Sequence, residues 1–414
     1  MLFTTPQLTA RDLEVVAKID AAKSDLKGLL HVPRRWTGLL RRSTIGRAIR
    51  GSNSIEGYRV AKEDAVAAAA GETLDANEET RRAIAAYQRA MTYALHVVGD
   101  PSFQYSEVLI KSLHFMMLEY DLDKNPGKWR PGAIYVFDED RNQQVYEGPD
   151  AATVPALMHE LVERIANEDA NVPNVVRAAM AHLNLAMIHP FSDGNGRMAR
   201  CLQTLVLGRG GVLEPAFSSV EEYLGEHHRE YYDVLTEVGQ GSWHPENDAG
   251  WWIRFSLRAH FYQANTLLRR VHESERLYAV LEQEVRRAGL PERSVLALFD
   301  AAGGFRVRNG TYRTVADISE QVASRDLRLM VDAGLLEAQG EKRARSYIAS
   351  QNLASLKRGI MEAAPIADPY GGVELRASAT LTTSARAVVI APVAPSSSTA
   401  PAQHPARFRP GERR

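Results

Sequence analysis

Cysteine is almost absent: Cys201 stands alone in 414 residues. One thiol can form no internal disulfide and no cysteine-rich zinc site. A surplus of either charge is missing too, because Lys and Arg total 50 against 51 Asp and Glu, a formal charge of −1. A chain so balanced is not built as a general polyanion binder, and contact with nucleic acid would need a local patch. No uninterrupted apolar run approaches the ~20 residues of a membrane helix. Met1 to Asp12 lacks a basic stretch followed by an apolar one, so no secretory signal is read there. No GxxxxGK[ST] loop occurs, which excludes the ordinary P-loop nucleotidase. No internal repeat is found. These absences predict a reducing, cytoplasmic setting and no membrane partner. The remaining composition, 45% hydrophobic and 24% charged, is that of a globular protein. The length suggests two or three units.

Apolar spacing predicts helices over Thr9–Leu30, Arg81–Val98, Ser106–Tyr120 and Val154–Ile165. Val176, Met180, Leu183 and Met187 recur at steps of four, three and four, one face of a helix. Met198, Leu202, Leu205 and Val206 mark the inner face of a second. Between them lies one extended candidate, Gly132-Ala-Ile-Tyr-Val-Phe137, following Arg130-Pro131. Further on, Ser294–Ala302, Thr314–Gln321 and Ser324–Ala333 read as short helices. Leu335–Ala338 and Arg345–Ala349 then read as a hairpin around Gln339-Gly340. Three short helices and a hairpin resemble a winged helix. From Ala363 to Arg414, Ala, Pro, Ser and Thr dominate, and this stretch is expected to be disordered.

One segment concentrates chemistry: His189-Pro-Phe-Ser-Asp-Gly-Asn-Gly-Arg-Met-Ala-Arg200. Pro190 stops the preceding helix. Asp193-Gly-Asn-Gly196 is a loop of residues that tolerate positive φ, and Arg197 is expected to open the next helix. Such a loop presents free backbone N–H groups and the positive end of a helix dipole, which suits phosphate. Arg197 and Arg200, three apart, share a helix face, and two guanidinium forks suit a polyphosphate. Asp193 offers a hard oxygen of the kind Mg²⁺ prefers. His189 can take a proton near neutral pH. A base, a metal ligand, an anion hole and two arginines describe transfer from a nucleotide to an incoming nucleophile. Gly194-Asn-Gly-Arg-Met-Ala199 also fits GxGxxA, but a Rossmann loop follows a buried strand and this one follows a helix.

The segment matches the pattern HxFx[DE]GNGRxxR at every fixed position and resembles the Fic family, over roughly 47–263. That resemblance implies a mainly α fold, a Fic-type helical core with a short β-hairpin flap, followed by a small winged-helix-like α+β domain. It implies AMP transfer from ATP to a Ser, Thr or Tyr hydroxyl of a target protein. His189 would deprotonate the hydroxyl and Asp193 would hold Mg²⁺. Gly194, Asn195 and Gly196 would form the anion hole, assisted by Arg197, and Arg200 would grip the γ-phosphate. Phe191 would anchor the loop. Ile134, Tyr135 and Val136 would belong to a flap that docks the target by strand addition. Tyr231 and Tyr232 sit where the family often has an aromatic pair near the nucleotide; two core tyrosines fit the sequence equally. Upstream, Ser52-Asn-Ser-Ile-Glu56-Gly57 fits [ST]xxxE[GN], the family's inhibitory motif. Glu56 would then pair with Arg200, with Ser52 hydrogen-bonded beside it. Transfer of UMP or a phosphoryl group, removal of AMP, and a nucleotide-sensing or DNA-binding protein are the other readings.

The expected units are a helical N-terminal region 1–100 carrying the inhibitory helix, a Fic core 101–265, a helical connector 266–289, a winged-helix-like unit 290–355 and the tail 363–414. Between Leu290 and Ser350 nine basic residues meet eight acidic ones, a surplus of +1 and a poor phosphate footprint. A protein-positioning role is therefore favoured there over DNA contact. A second copy of the chain is a further candidate partner. His227, His228 and His244 read as surface residues rather than a metal cluster, since adjacent histidines on a helix diverge by about 100°. Cys201 reads as a small buried residue.

Overall fold

The computed structural model describes residues 1–31, 34–61, 64–65, 76–138, 143–167, 171–210, 215–341, 345–361 and 364–371. The tail expected from 363 onward therefore lies outside them, except for 364–371, and so do residues 342–344 within the expected hairpin.

Helices α1 (Ala10–His31) and α2 (Thr37–Ile55) open the chain. Helices α3 (Glu78–Val97) and α4 (Glu107–Leu118) follow, then the antiparallel hairpin β1 (Tyr135–Asp138) and β2 (Gln143–Glu147). Local chemistry sets the helix starts. Asn77 accepts from the Thr80 amide, and Ser106 accepts from the Leu109 amide at 3.1 Å. Helices α5 (Val154–Asn167), α6 (Asn174–Ile188) and α7 (Asn195–Arg209) build the centre. Helices α8 (Glu221–Glu226), α9 (His228–Gly239) and the long α10 (Gly250–Arg287) complete it. Residues 266–287, expected as a connector, continue α10 without a break. No helix among the described residues is long and apolar enough to cross a membrane.

Three apolar cores hold these elements. One lies among α3, α4, α5, α6 and α7, with Leu113, Met158, Leu185 and Met198 fully buried. A second joins the other face of α6 to α1, α9 and α10 through Ile19, Leu183, Trp252 and Phe255. Helix α6 is thus covered on both sides, which makes its C-terminal end a rigid platform. Each large apolar side chain buried there stabilises by about 1.5–3 kcal/mol.

Past α10 come α11 (Ser294–Ala302), α12 (Asn309–Ala316), α13 (Glu320–Asp332), the hairpin β3 (Leu336–Gln339) with β4 (Ser346–Ala349), and α14 (Gln351–Arg358). Two of these helices begin earlier than their apolar spacing suggests. Asp317 takes a left-handed conformation (φ 52°) that ends α12. Ser319 then caps α13 by accepting from the Val322 amide, so the helix starts at Glu320 rather than Ser324. Leu298, Leu327, Met330 and Leu353 of this unit share a third core with Leu26 of α1, Leu39 and Leu40 of α2, and Leu267 of α10.

Candidate active site

The site begins where α6 stops. Proline at 190 cannot continue a helix. His189 takes the left-handed cap position (φ 51°), uncommon for a residue other than glycine, and its amide donates to the Leu185 carbonyl at 3.0 Å. The imidazole Nδ1 lies 3.1 Å from the Ala186 carbonyl oxygen. A carbonyl only accepts, so in the neutral ring Nδ1 carries the proton and Nε2 keeps its lone pair. Burial pushes the His189 pKa down to about 4, against the opposing pull of the Ala186 carbonyl. The ring is therefore a neutral proton acceptor at ordinary pH.

Arg130 holds this turn from behind. It is 4% exposed and donates from Nε to the His189 carbonyl at 2.8 Å, from Nη1 to the Gly132 carbonyl at 2.6 Å, and from Nη2 to the Pro149 carbonyl. One side chain thus ties the cap of α6 to both ends of the flap. Phe191, fully buried, stacks on His114 with ring centroids 3.6 Å apart. His114 Nδ1 accepts from the Gly127 amide at 2.9 Å, so its proton sits on Nε2, which donates to the Asp193 carbonyl at 2.9 Å. Burial drives the His114 pKa to about 4, which keeps this neutral arrangement. Neither Arg130 nor His114 belongs to the expected site. Neither residue carries a motif in the linear chain.

The loop then folds on itself. The Asn195 side chain accepts from the Phe191 amide and donates to the Phe191 carbonyl, both at 2.9 Å. These two bonds fix the loop, with one Nδ2–H committed to the Phe191 carbonyl. Gly194 is left-handed (φ 74°), and α7 starts at Asn195, two residues before the expected Arg197. The first amides of α7 have no partner inside the helix and face the cleft end of the loop.

Asp193 has both carboxylate oxygens engaged. Oδ1 accepts from the Gly194 amide at 2.6 Å, and Oδ2 lies 2.6 Å from the Lys124 ammonium. Burial alone would raise its pKa, but Arg197 and Lys124 hold it below the usual carboxylate range. Arg197 and Arg200 are each 1% exposed. Nε and Nη1 of Arg197 and Nη1 of Arg200 are buried without a hydrogen-bond partner. Each orphaned donor costs about 1–3 kcal/mol, and charged ones cost more. Buried guanidinium nitrogens left open beside a helix N-terminus fit an incoming anion. Among the described residues no three His, Cys, Asp or Glu side chains gather as an ion cage. One carboxylate fits Mg²⁺ only if phosphate and water supply the other oxygens, which is that ion's usual habit.

The upstream motif reaches the same place. Ser52 to Ile55 form the last turn of α2, while Glu56 caps it and Gly57 (φ 85°) ends it. Arg200 donates from Nε to Ser52 Oγ at 2.7 Å, and from Nη2 to the Ser52 carbonyl at 3.1 Å and to Glu56 Oε1 at 2.7 Å. Gly196 is needed here, because a Cβ would stand 2.5 Å from Glu56 Oε1. Gly57 makes its contribution through the turn alone. Behind Arg200 lies Glu221, 1% exposed, with Ser52 and Tyr87 nearby but no hydrogen bond of normal geometry to either oxygen. Burial pushes its pKa up to about 7, with Arg200 pulling the other way.

His189, Asp193, Gly194, Asn195, Gly196, Arg200 and Glu56 line one open cleft of about 820 Å³, its solvent-filled mouth included. Val136, Tyr231 and Tyr232 form its far wall. Tyr231 is buried, with its hydroxyl 3.0 Å from His182 Nε2, so it is a core tyrosine whose ring faces the cleft. Tyr232 is half-buried. In the flap, Val136 faces the cleft, Tyr135 pairs with Glu147, and Ile134 is buried at 1% exposure, where it anchors the hairpin. Cys201 is buried in the core. His227 stacks on Tyr223, and His244 pairs with Glu246.

Residues 104–207 match the Fic/DOC family. Protein adenylyltransferase Fic of Aedes aegypti is 35% identical over 112 residues, 26% of this chain and 21% of that protein. Protein adenylyltransferase fic-1 of Caenorhabditis elegans is 36% identical over 95 residues, 21% of this chain and 19% of that protein. The match thus spans about a fifth of the length of these curated relatives. Among solved structures, a Fic family protein from Desulfovibrio desulfuricans G20 superposes with a TM-score of 0.56 at 21% identity, covering 84% of this chain and 98% of its own. The mainly helical fold is therefore a Fic-type fold, and within it residues 104–207 are similar to the Fic/DOC family.

Proposed function

We propose that the chain is a protein adenylyltransferase that moves AMP from ATP to a Ser, Thr or Tyr hydroxyl of a target protein, and that Glu56 restrains it. The observation that carries this reading is the pinned imidazole of His189. Its Nδ1 is committed to the Ala186 carbonyl, and it lines the same cleft as the α7 N-terminus and Arg200. The target O–H gives its proton to His189 Nε2 as its oxygen attacks the α-phosphorus. The new O–P bond forms while the bond from the α-phosphorus to the bridging oxygen breaks, and pyrophosphate leaves. The first amides of α7 and Arg197 receive phosphate oxygens, and Arg200 orients the triphosphate. Asp193 would hold Mg²⁺ carried on the nucleotide, which when bound would offset the charge building on the leaving pyrophosphate.

Restraint follows from the ion pair of Arg200 with Glu56 and the hydrogen bonds to Ser52. With Nε and Nη2 of Arg200 committed to Ser52 and Glu56, only Nη1 is left for a γ-phosphate, and the Glu56 carboxylate beside it repels one. The edge of β1 that does not pair with β2 offers a target segment a place for strand pairing. In the C-terminal unit, Arg293, Arg306, Arg313 and Arg325 lie within ion-pair distance of carboxylates, which supports a protein-positioning role over DNA contact.

Incubation with labelled ATP and Mg²⁺ tests the proposal. Glu56→Gly should raise labelling of the chain and of added lysate proteins at least about tenfold, and His189→Ala should abolish it. A Glu56→Gly protein that transfers no label from ATP overturns the transferase reading. Label from UTP instead would keep the chemistry and change the donor. Equal labelling by wild type and Glu56→Gly would remove only the restraint.

A further inference from the structure

The side chain nearest to Asp193 is a cation that the sequence motif does not contain. Lys124 Nζ lies 2.6 Å from Asp193 Oδ2. This is a built contact. Lys124 ends a short 3₁₀ turn, Leu122–Lys124, and Asn125 follows in a left-handed conformation. Three residues on from Lys124, the Gly127 amide donates to His114 Nδ1, and His114 Nε2 donates to the Asp193 carbonyl. The turn carrying Lys124 is therefore fastened to the backbone of the residue whose carboxylate it meets.

The other Asp193 oxygen is occupied by the Gly194 amide. A divalent ion bound to Oδ2 at about 2.1 Å would share that oxygen with the ammonium. The two cations would then lie within about 5 Å of each other in a half-buried site, where repulsion is strong. A second seat for the lysine stands ready. Asp121 Oδ2 is 3.7 Å from the same Nζ, across the same turn. Rotation about side-chain bonds transfers the ammonium from one carboxylate to the other with the backbone unchanged.

We propose that Lys124 is an internal counter-ion at the metal position, so that a divalent cation takes Asp193 only by displacing the ammonium onto Asp121. This rests on the reading of Asp193 as the metal ligand. The metal then arrives most readily with a triphosphate, whose negative charge offsets the repulsion from the displaced lysine. Nucleotide-free protein discriminates against bare metal.

The test uses the full chain and Mn²⁺ alone, with free ion counted by electron paramagnetic resonance and thermal melting as the check on folding. Lys124→Met should bind Mn²⁺ roughly tenfold more tightly than wild type, the loss of one charge pair. Lys124→Arg should show no such gain, and Asp193→Asn should cancel it in the double variant. Asp121→Asn, which removes the second seat, should weaken Mn²⁺ binding relative to wild type. If a folded Lys124→Met protein binds no tighter than wild type, while Asp193→Asn lowers wild-type binding, the counter-ion is refuted and Asp193 remains a ligand. If Asp193→Asn leaves binding unchanged in both backgrounds, the metal reading of Asp193 fails, and this inference fails with it.

Discussion

At the scale of single residues, the site is held by side chains that do no chemistry. Asn195 closes the loop on Phe191, His114 holds the Asp193 carbonyl, and Arg130 spans three carbonyls. Arg130 is the most consequential, because it is buried and its loss leaves three acceptors unmet. Arg130→Met should cost about 3 kcal/mol in urea unfolding. At a urea concentration where the variant is still folded, single-turnover transfer in the Glu56→Gly background should fall more than about tenfold, because the cap that aims His189 is loosened. Full transfer by folded Arg130→Met protein would show that α6 aims the imidazole without help. The histidine also has a pH signature. With its pKa held near 4 by burial, His189 should stay neutral in a ¹³C-histidine titration down to about pH 5, where an exposed imidazole is already charged.

At the scale of elements, the close crossing of α2 and α8 decides where Glu56 stands. Glycines permit it. A Cβ on Gly51 would lie 2.2 Å from the Glu221 carbonyl oxygen, and one on Gly225 would lie 2.5 Å from Gly51 Cα. Both contacts are with backbone, so no rotamer change relieves them. Alanine at 51 gains about 1 kcal/mol of helix propensity and loses about 1–3 kcal/mol to overpacking. Gly51→Ala should therefore lower the melting temperature and move α2 off α8. Ser52, the next residue, should then release Arg200, and label transfer from ATP should rise above wild type. A lower melting temperature with unchanged transfer would mean that the seating of α2 does not hold Glu56 in place.

At the scale of the whole molecule, buried titratable groups tie stability to pH. Burial lowers the pKa of His114 and His189 to about 4, of His182 to about 3, and of His260 well below its usual value. Each binds a proton in the unfolded chain between pH 6.5 and 4.5 but not in the folded one. Glu221 and Asp300, raised by burial to about 7, do the reverse in the same window. Four against two leaves a net uptake of protons on unfolding, so stability should fall by roughly a few kcal/mol in all as pH drops from 6.5 to 4.5. Calorimetry at pH 6.5, 5.5 and 4.5 measures this slope. A melting temperature that rises toward pH 4.5 would show that the carboxyls outweigh the imidazoles. The His182→Gln variant should flatten the slope by about one proton.

Much of the site was legible in the linear chain, because its parts are neighbours. His189 through Arg200 is one cap, one loop and one helix start, and the physics of each is local. The long helices were legible for the same reason, since apolar spacing reports a buried face directly. Boundaries differ where one residue outranks that spacing, through a left-handed backbone at Asp317 and a capping side chain at Ser319. Position 56 carried a motif, but only packing decides that α2 ends against α7, since glycines 51 and 225 let two distant helices touch. Arg130, His114, Lys124 and Glu221 could not be read at all. Each matters through a partner more than fifty residues away, and such pairs form only when separate helices share a core. Local order thus followed from nearest-neighbour chemistry, while the ion pairs and buried contacts that tune the site are consequences of long-range burial.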